Sequence, residues 1–406
     1  MEKRLKIHWW NGAVVGHLIH KGAIYFVYDE EWIKLGHNLS PLSLPFGDVA
    51  FNGNKGIDGL PGLIADCLPD QWGRKVARKI FASHKWGEPT TMMLLAWRGT
   101  RGLGALHFLP DLHEIQSGDK LNSISAASLA RGAGEIERGE PTEVLKELSQ
   151  GGSAGGAYPK VLVLFYPDGT LKVGQPDGVG VPSLLKLSIE KGKDNSLCEH
   201  AYALMAKASG IRAVETRLID GDPIDKRQHL LVTRFDVADA QHPKRRFHFH
   251  SLSGILHKAP GDLEYRDLFR VAIRIHTPQE ELREIARRMI FNVLSSNHDD
   301  HGKNHAFLYD EDRREWSLTP AYDMNYSQGM LERGMLVSGE VWPTAQTMME
   351  ICLSAGIRKD EIWKLFDEVK AGIDQWPDLA DKTGVSKAIS SEIHERHMLL
   401  RSRVFA

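Results

Sequence analysis

From Lys6 to His20 the chain runs "KIHWW" and "AVVGHLIH" on either side of Asn11-Gly12. Two β-rich runs flanking Asn-Gly predict a hairpin. "GAIYFVYDEEW" adds a further strand, and "LSLPF" opens a loop. The pattern turns helical through "FNGNKGIDGLPGLIADCLPDQWGRKVARKIFASH", whose start is punctuated by Gly53, Gly56, Gly59 and Gly62. Leu68-Pro69-Asp70 reads as the end of one short helix and the start of the next. "PTTMMLLAWRG" predicts another helix, "GLGALHFLP" returns to a strand, and this β-rich part closes near Pro110. Residues 111–150 read as a polar connector with two helical patches, "SISAASLARGAGEIERG" and "PTEVLKELSQ".

Beyond the glycine-rich "GGSAGGAYPK" come three strand candidates, "VLVLFY", "GTLKVGQ" and "PSLLKLSI", the first two joined by the turn "PDG". "NSLCEHAYALMAKASGI" predicts a helix, and strands follow around "VETRLID" and "QHLLVTRFD". From Pro243 onward the periodicity is mostly helical, as in "YRDLFRVAIRIH" and "EELREIARRMIFNVLSSN". A β-rich half followed by an α-rich half predicts a bilobal α+β protein.

Composition narrows this only a little. The 406 residues are 42% apolar and 26% charged, as in an ordinary globular protein of more than one packed unit. A net charge of −2 gives no whole-chain basic field that would hold nucleic acid unaided. Cys67, Cys198 and Cys352 are far apart and odd in number, so a reducing, cytoplasmic location is expected rather than a disulfide framework. No signal peptide and no membrane span are expected.

The densest chemistry lies in "SSNHDDHGKNHAF", Ser295–Phe307. Asp299 and Asn304 make D-x-x-x-x-N, the spacing of a kinase catalytic loop. There the aspartate takes the substrate hydroxyl proton and the asparagine holds Mg²⁺. An amphipathic helix, "EIARRMIFNVLSS", precedes the loop. "HAFLY" and "EWSLT" follow as a hairpin across "DEDRR", and "PAYDM" then delivers Asp323 as a second Mg²⁺ ligand. The solvated-loop reading of Asp299 and Asp300 and a zinc site of His298, His301 and His305 are the competing explanations. Hard oxygen ligands suit Mg²⁺ better than Zn²⁺.

The upstream parts of a kinase can be placed in order. Lys186, embedded in "PSLLKLSI", suits a lysine for the ATP phosphates, and Glu199 on the next helix suits its ion-pair partner. The glycine-rich run, with Ser153, Ala154, Gly155 and Gly156, lets backbone N–H groups approach a phosphate. Thr233–Asp236, which includes Phe235, fits the link between lobes that offers backbone groups to adenine.

Taken together, "GLPGLIADCLPDQWGR", "GGSAGGAYPK", "SLLKLS", "VTRFD", "HFHSLSGIL", "NHDDHGKNHAF" and "LTPAYDM" resemble the HipA family across nearly the whole chain. These are serine/threonine protein kinases that act as toxins of type II toxin–antitoxin modules. The resemblance implies an N-terminal β-rich module over residues 1–118, a kinase N-lobe over 119–236 and an α-helical C-lobe over 237–406. It implies Asp299 as catalytic base, Asn304 and Asp323 on Mg²⁺, and Lys186 on ATP. His301 and Lys303 belong to the same loop motif, with Lys303 as a phosphate or transition-state contact, and Ser153 sits where family members carry an autophosphorylated serine. It further implies an aminoacyl-tRNA synthetase as substrate, a small helix-turn-helix antitoxin as partner, and operator DNA reached mainly through that antitoxin. Tyr158-Pro159 departs from the form of the best known member. A small-molecule phosphotransferase shares D-x-x-x-x-N but usually lacks a module like residues 1–110. A kinase-like co-repressor that only docks an antitoxin is the other alternative.

Overall fold

A computed structural model describes residues 3–112, 123–151, 158–174, 176–190, 194–221, 227–238, 242–329 and 332–406. The chain divides into two compact units, Met1–Lys193 with Arg217–Phe249, and Asp194–Thr216 with His250–Ala406.

The first unit holds two five-stranded sheets. One is built from β1 (Arg4–Trp9), β2 (Val14–Lys21), β3 (Ala23–Tyr28), β4 (Phe51–Asn52) and β5 (Leu106–Leu109), in the order β4-β3-β2-β1-β5. Leu5, Ile7 and Trp9 are buried while Arg4 and Lys6 are exposed, the period of two that a half-buried strand requires. The Asn11-Gly12 turn forms, but as a four-residue loop: Trp9 N–H donates to Ala13 O at 2.8 Å, and Gly12 takes φ +93°. "DEEW" leaves the predicted strand, because Asp29 accepts from Glu31 N–H at 3.0 Å and caps a helix Glu30–Leu35.

The other sheet comprises β6 (Lys160–Phe165), β7 (Leu171–Lys172), β8 (Val181–Lys186), β9 (Thr216–Asp220) and β10 (Gln228–Thr233), ordered β7-β6-β8-β10-β9. β6 is buried along nearly its whole length, as an inner strand should be. Helix Gln71–Ser83, capped by Asp70 accepting from Gly73 N–H at 2.6 Å, packs on this sheet. Trp72, Val76 and Phe81 of that helix share one core with Leu94 and Trp97, and with Val161, Val163, Leu185 and Leu231 of the strands.

Residues 126–150 are not a polar connector. Helix Ala126–Glu137 and helix Leu145–Gln150 exist as expected, yet Leu129, Ala133, Ile136 and Leu148 lie in that same core. Their apolar stripe is short, so average polarity concealed it.

A three-stranded sheet, β11 (His248–Ser251), β12 (Ala306–Asp310) and β13 (Glu315–Leu318), is ordered β11-β12-β13, with β12 and β13 in the second unit. β12 and β13 form the expected hairpin, with Phe307 opposite Leu318. The sequence pattern did not assign β11. Helices Asn195–Ala208, Gln279–Leu294, Lys359–Ile373, Trp376–Thr383 and Lys387–Val404 make up most of the rest of the second unit. Gln279–Leu294 is buried on more than its apolar face. Its Arg288 donates to Glu284 at 2.9 Å and to Thr319 O at 2.7 Å; burial pulls the guanidinium below its usual pKa while Glu284 pushes it back up. Among the described residues, no helix is long and apolar enough to cross a membrane.

Candidate active site

Helix Gln279–Leu294 is the platform for the candidate catalytic loop. It stops where Ser295 N–H closes on Phe291 O at 2.8 Å, and Ser296 turns the chain with φ +57°. Ser295 O is held by Tyr202 Oη at 2.6 Å, so the loop starts from a fixed point. Asn297 N–H then returns to Asn292 O at 3.1 Å.

From that start, successive side chains face opposite ways. Asp300 is buried, accepting from Tyr265 Oη at 2.7 Å and from Arg333 Nη1 at 3.2 Å. Burial raises its pKa, with the Arg333 charge opposing that rise. It is therefore no half of a solvated pair. Asp299 faces solvent, its side chain 64% exposed, as a base that must meet an incoming hydroxyl requires. His301 Nε2 stands 3.7 Å from Asp299 Oδ1.

Asn304 closes the loop. Its Nδ2 donates to Asp299 O at 2.6 Å, and its own N–H donates to His301 O at 2.8 Å. The spacing of five thus brings the asparagine amide back beside the aspartate. Tyr322 Oη donates to Lys303 O at 2.6 Å, which holds "PAYD" against the same loop. Ala321 is fixed from its other side by N–H to Arg212 O at 2.7 Å. Asp323 follows with φ +58°, a left-handed conformation that costs a non-glycine residue of order 1–3 kcal/mol.

Asn304 Nδ2 is committed to Asp299 O, which leaves its amide oxygen as an oxygen donor, and Asp323 carries a carboxylate. Both are of the hard oxygen type that Mg²⁺ takes alongside phosphate oxygens, so these two residues are the candidates to hold it. The three zinc candidates have separate surroundings: His298 packs edge-to-face with Trp342, His305 edge-to-face with Tyr265, and His301 faces Asp299. Among the described residues, no three His, Cys, Asp or Glu side chains gather as a metal cluster.

The remaining expected residues are distributed as follows. Lys186 ends β8 in the first unit, half-buried, opposite Leu230 of β10 and Lys160 of β6. Glu199 lies half-buried on helix Asn195–Ala208 of the second unit. Thr233 ends β10, and Phe235 stacks on Phe249 with centroids 6.2 Å apart. The Asp236 side chain is fully buried, taking Arg234 at 2.7 and 2.9 Å and Gly104 N–H at 2.7 Å. Burial pushes its pKa up, yet Arg234, Arg246 and the Gly104 N–H together outweigh this and hold the carboxyl below its usual range. Ser153, Ala154, Gly155 and Gly156 lie outside the described residues.

Two residues that hold the Asp299–Asp300 stretch were not found from sequence. Ser327 Oγ accepts from His298 N–H at 2.9 Å and Asp299 N–H at 3.1 Å. Arg333 reaches Asp300, as above. Both sit in an aperiodic stretch with no local signal of their partners.

A β-rich beginning, a helical platform, a D-x-x-x-x-N loop, a hairpin and a left-handed aspartate define a kinase-like α+β protein. Residues 5–109 match the HipA N-terminal domain and residues 152–377 match the HipA-like C-terminal domain. The chain belongs to the HipA family. It is similar to putative kinase Y4mE of Sinorhizobium fredii, 28% identical over 335 residues that cover 78% of this chain and 76% of the relative. Putative kinase Y4dM of the same organism is 28% identical over 161 residues, 36% of this chain and 38% of the relative. Among solved structures, HipA of Shewanella oneidensis MR-1, determined in complex with HipB and operator DNA, aligns with a TM-score of 0.72. That alignment covers 98% of this chain and 96% of the other at 17% identity, and it shows the shared fold.

Proposed function

We propose that this chain is a Mg²⁺- and ATP-dependent serine/threonine protein kinase. The observation that carries the reading is the closed loop itself: an exposed Asp299 whose carbonyl is gripped by Asn304 at 2.6 Å, next to Lys303 gripped by Tyr322 at 2.6 Å. In this reading Asp299 orients the substrate hydroxyl and receives its proton. Asn304 and Asp323 hold the metal, Lys303 contacts the transferring phosphoryl group, and His301 steadies Asp299. Bound Mg²⁺ supplies charge neutralisation on the phosphates. Lys186 is assigned to the ATP phosphates, Glu199 to balancing that lysine, the backbone of Thr233–Asp236 to adenine, and the run Ser153–Gly156 to covering the phosphates, with Ser153 as an autophosphorylation site.

The family and the Shewanella complex support a wider proposal, in which the chain is the toxin of a type II toxin–antitoxin module. Its target is a protein of translation such as an aminoacyl-tRNA synthetase. Its partner is a small helix-turn-helix antitoxin through which it reaches operator DNA, and its place is the cytoplasm.

ADP release from Mg-ATP by the purified chain tests the kinase reading. Asp299→Asn is expected to lower it by on the order of 10²-fold or more, because an amide cannot take the proton. Equal release by the wild type and the folded variant overturns the assignment.

A further inference from the structure

Asp299 carries the proposed chemistry, and its side chain is aimed from the backbone of 297–300. This backbone is held by chain that comes later. Ser327 N–H donates to Ser296 O at 3.1 Å, and its Oγ accepts the consecutive N–H groups of His298 and Asp299 at 2.9 and 3.1 Å. Gly334 N–H donates to His298 O at 2.7 Å. A Cβ on Gly334 would stand 2.8 Å from His301 N and 3.0 Å from its Cα, so only glycine permits this approach.

Arg333 completes the arrangement. Its side chain is wholly buried and donates through Nη1 to both Asp300 Oδ2 and Asn297 O at 3.2 Å, and through Nε to Val341 O at 3.3 Å. A ring of hydrogen bonds closes around it. Tyr265 Oη donates to Asp300 at 2.7 Å, Asn292 Nδ2 to Tyr265 Oη at 2.9 Å, and Asn297 Nδ2 to Asn292 Oδ1 at 3.0 Å. Asn297 O then returns to Arg333. Each of these residues is buried, so each bond forms where competing water is scarce.

We infer that the chain after Asp323 is a built-in brace for the catalytic loop, in which Ser327 and Arg333 are positioning residues that set Asp299 without any activating phosphate. The inference rests on the kinase reading of Asp299. In many kinases the corresponding downstream segment is ordered only when a phosphorylated residue pairs with an arginine. Here the arginine lies in the downstream segment and its anion is Asp300, a permanent part of the loop. The chain as synthesised therefore already has the loop in its working geometry. Displacement of a reacting group by about 1 Å can cost on the order of 10²-fold in rate.

The test uses the full chain purified without prior incubation with ATP, and the variants Ser327→Ala, Arg333→Met and Arg333→Lys. ADP release should fall in kcat by about 10-fold for Ser327→Ala and about 100-fold for Arg333→Met, with KM for ATP within threefold of wild type. Arg333→Lys should recover part of the loss, since an ammonium still reaches Asp300. Unchanged kcat in folded Ser327→Ala and Arg333→Met overturns the inference, as does a wild type that becomes active only after phosphorylation. Should Arg333→Met not fold, Ser327→Ala decides alone, because its hydroxyl is not part of the core. If the wild type shows no Asp299-dependent ADP release, the kinase reading has failed, and the brace is judged by amide exchange. Exchange at His298, Asp299 and Gly334 should then be at least about 10-fold faster in Ser327→Ala than in wild type, and equal exchange overturns the brace as well.

Discussion

Asp323 combines a proposed metal-binding role with an unfavourable backbone. Its φ of +58° persists because Ala321 and Tyr322 are pinned immediately before it. Asp323→Ala should keep the fold but weaken Mg²⁺-dependent nucleotide binding, since a carboxylate on the metal is lost. ATP titrations with and without Mg²⁺ measure this; equal metal dependence in wild type and variant moves the metal elsewhere. Three histidines make a different forecast. Burial pushes His305 and His397 down to about 3 and His107 down to about 4. Each stays neutral in the folded chain, while the unfolded imidazole takes a proton below about 6.5. The unfolded state therefore binds more protons between those values, and stability falls as pH drops from about 6.5 towards 4, by up to about 1.4 kcal/mol per pH unit for each ring. Asp300, raised by burial, acts in the opposite direction, but it is one group against three. The urea midpoint should drop clearly between pH 7 and pH 5, and a flat profile would refute the assignment of neutral buried rings. At this scale the loop was legible, because Asp299 and Asn304 meet through five residues of local chain. Ser327 and Arg333 were not, because their partners lie roughly thirty residues away with no periodicity to announce them.

Helix Gln71–Ser83 shows what one element can do for another. Asp70 caps it and also reaches Lys160 Nζ at 3.3 Å, while Trp72 Nε1 donates to Lys160 O at 2.9 Å. Lys160 begins β6, directly after Tyr158-Pro159, and both charges are almost fully buried. Asp70→Ala removes a helix cap worth about 1 kcal/mol and strips a buried lysine of this carboxylate, a change that typically costs about 3–5 kcal/mol. A total loss of about 3 kcal/mol or more in urea unfolding is expected, with Asp70→Asn retaining the capping part. A loss below about 1 kcal/mol would mean the pair contributes little. The cap itself was readable from "LPDQW", where Asp precedes a helical run. Its second bond was not, since nothing local ties Asp70 to a residue ninety positions on. The helices of 126–150 were likewise placed correctly along the chain but assigned to solvent, because burial is decided by what packs against a face.

For the whole molecule, the consequential feature is the core that joins residues 72–97 to β6, β8 and β10. It makes the β-rich beginning and the second sheet parts of one compact unit, although two separate family matches, ending at 109 and starting at 152, cover them. A fragment beginning at residue 110 would leave Val161, Val163 and Leu185 without Trp72, Phe81 and Trp97. Large apolar side chains contribute about 1.5–3 kcal/mol each when buried, so this fragment should be insoluble or unfold without a cooperative transition. A soluble fragment with a sharp melting transition would show that the second sheet stands alone. The same core has a genetic consequence. None of the candidate catalytic residues lies before position 110, yet alleles that lose activity should map there about as often, per buried position, as in the half that carries Asp299. Many of them should be temperature-sensitive, failing through folding of the unit that carries Lys186 rather than through any missing chemical group.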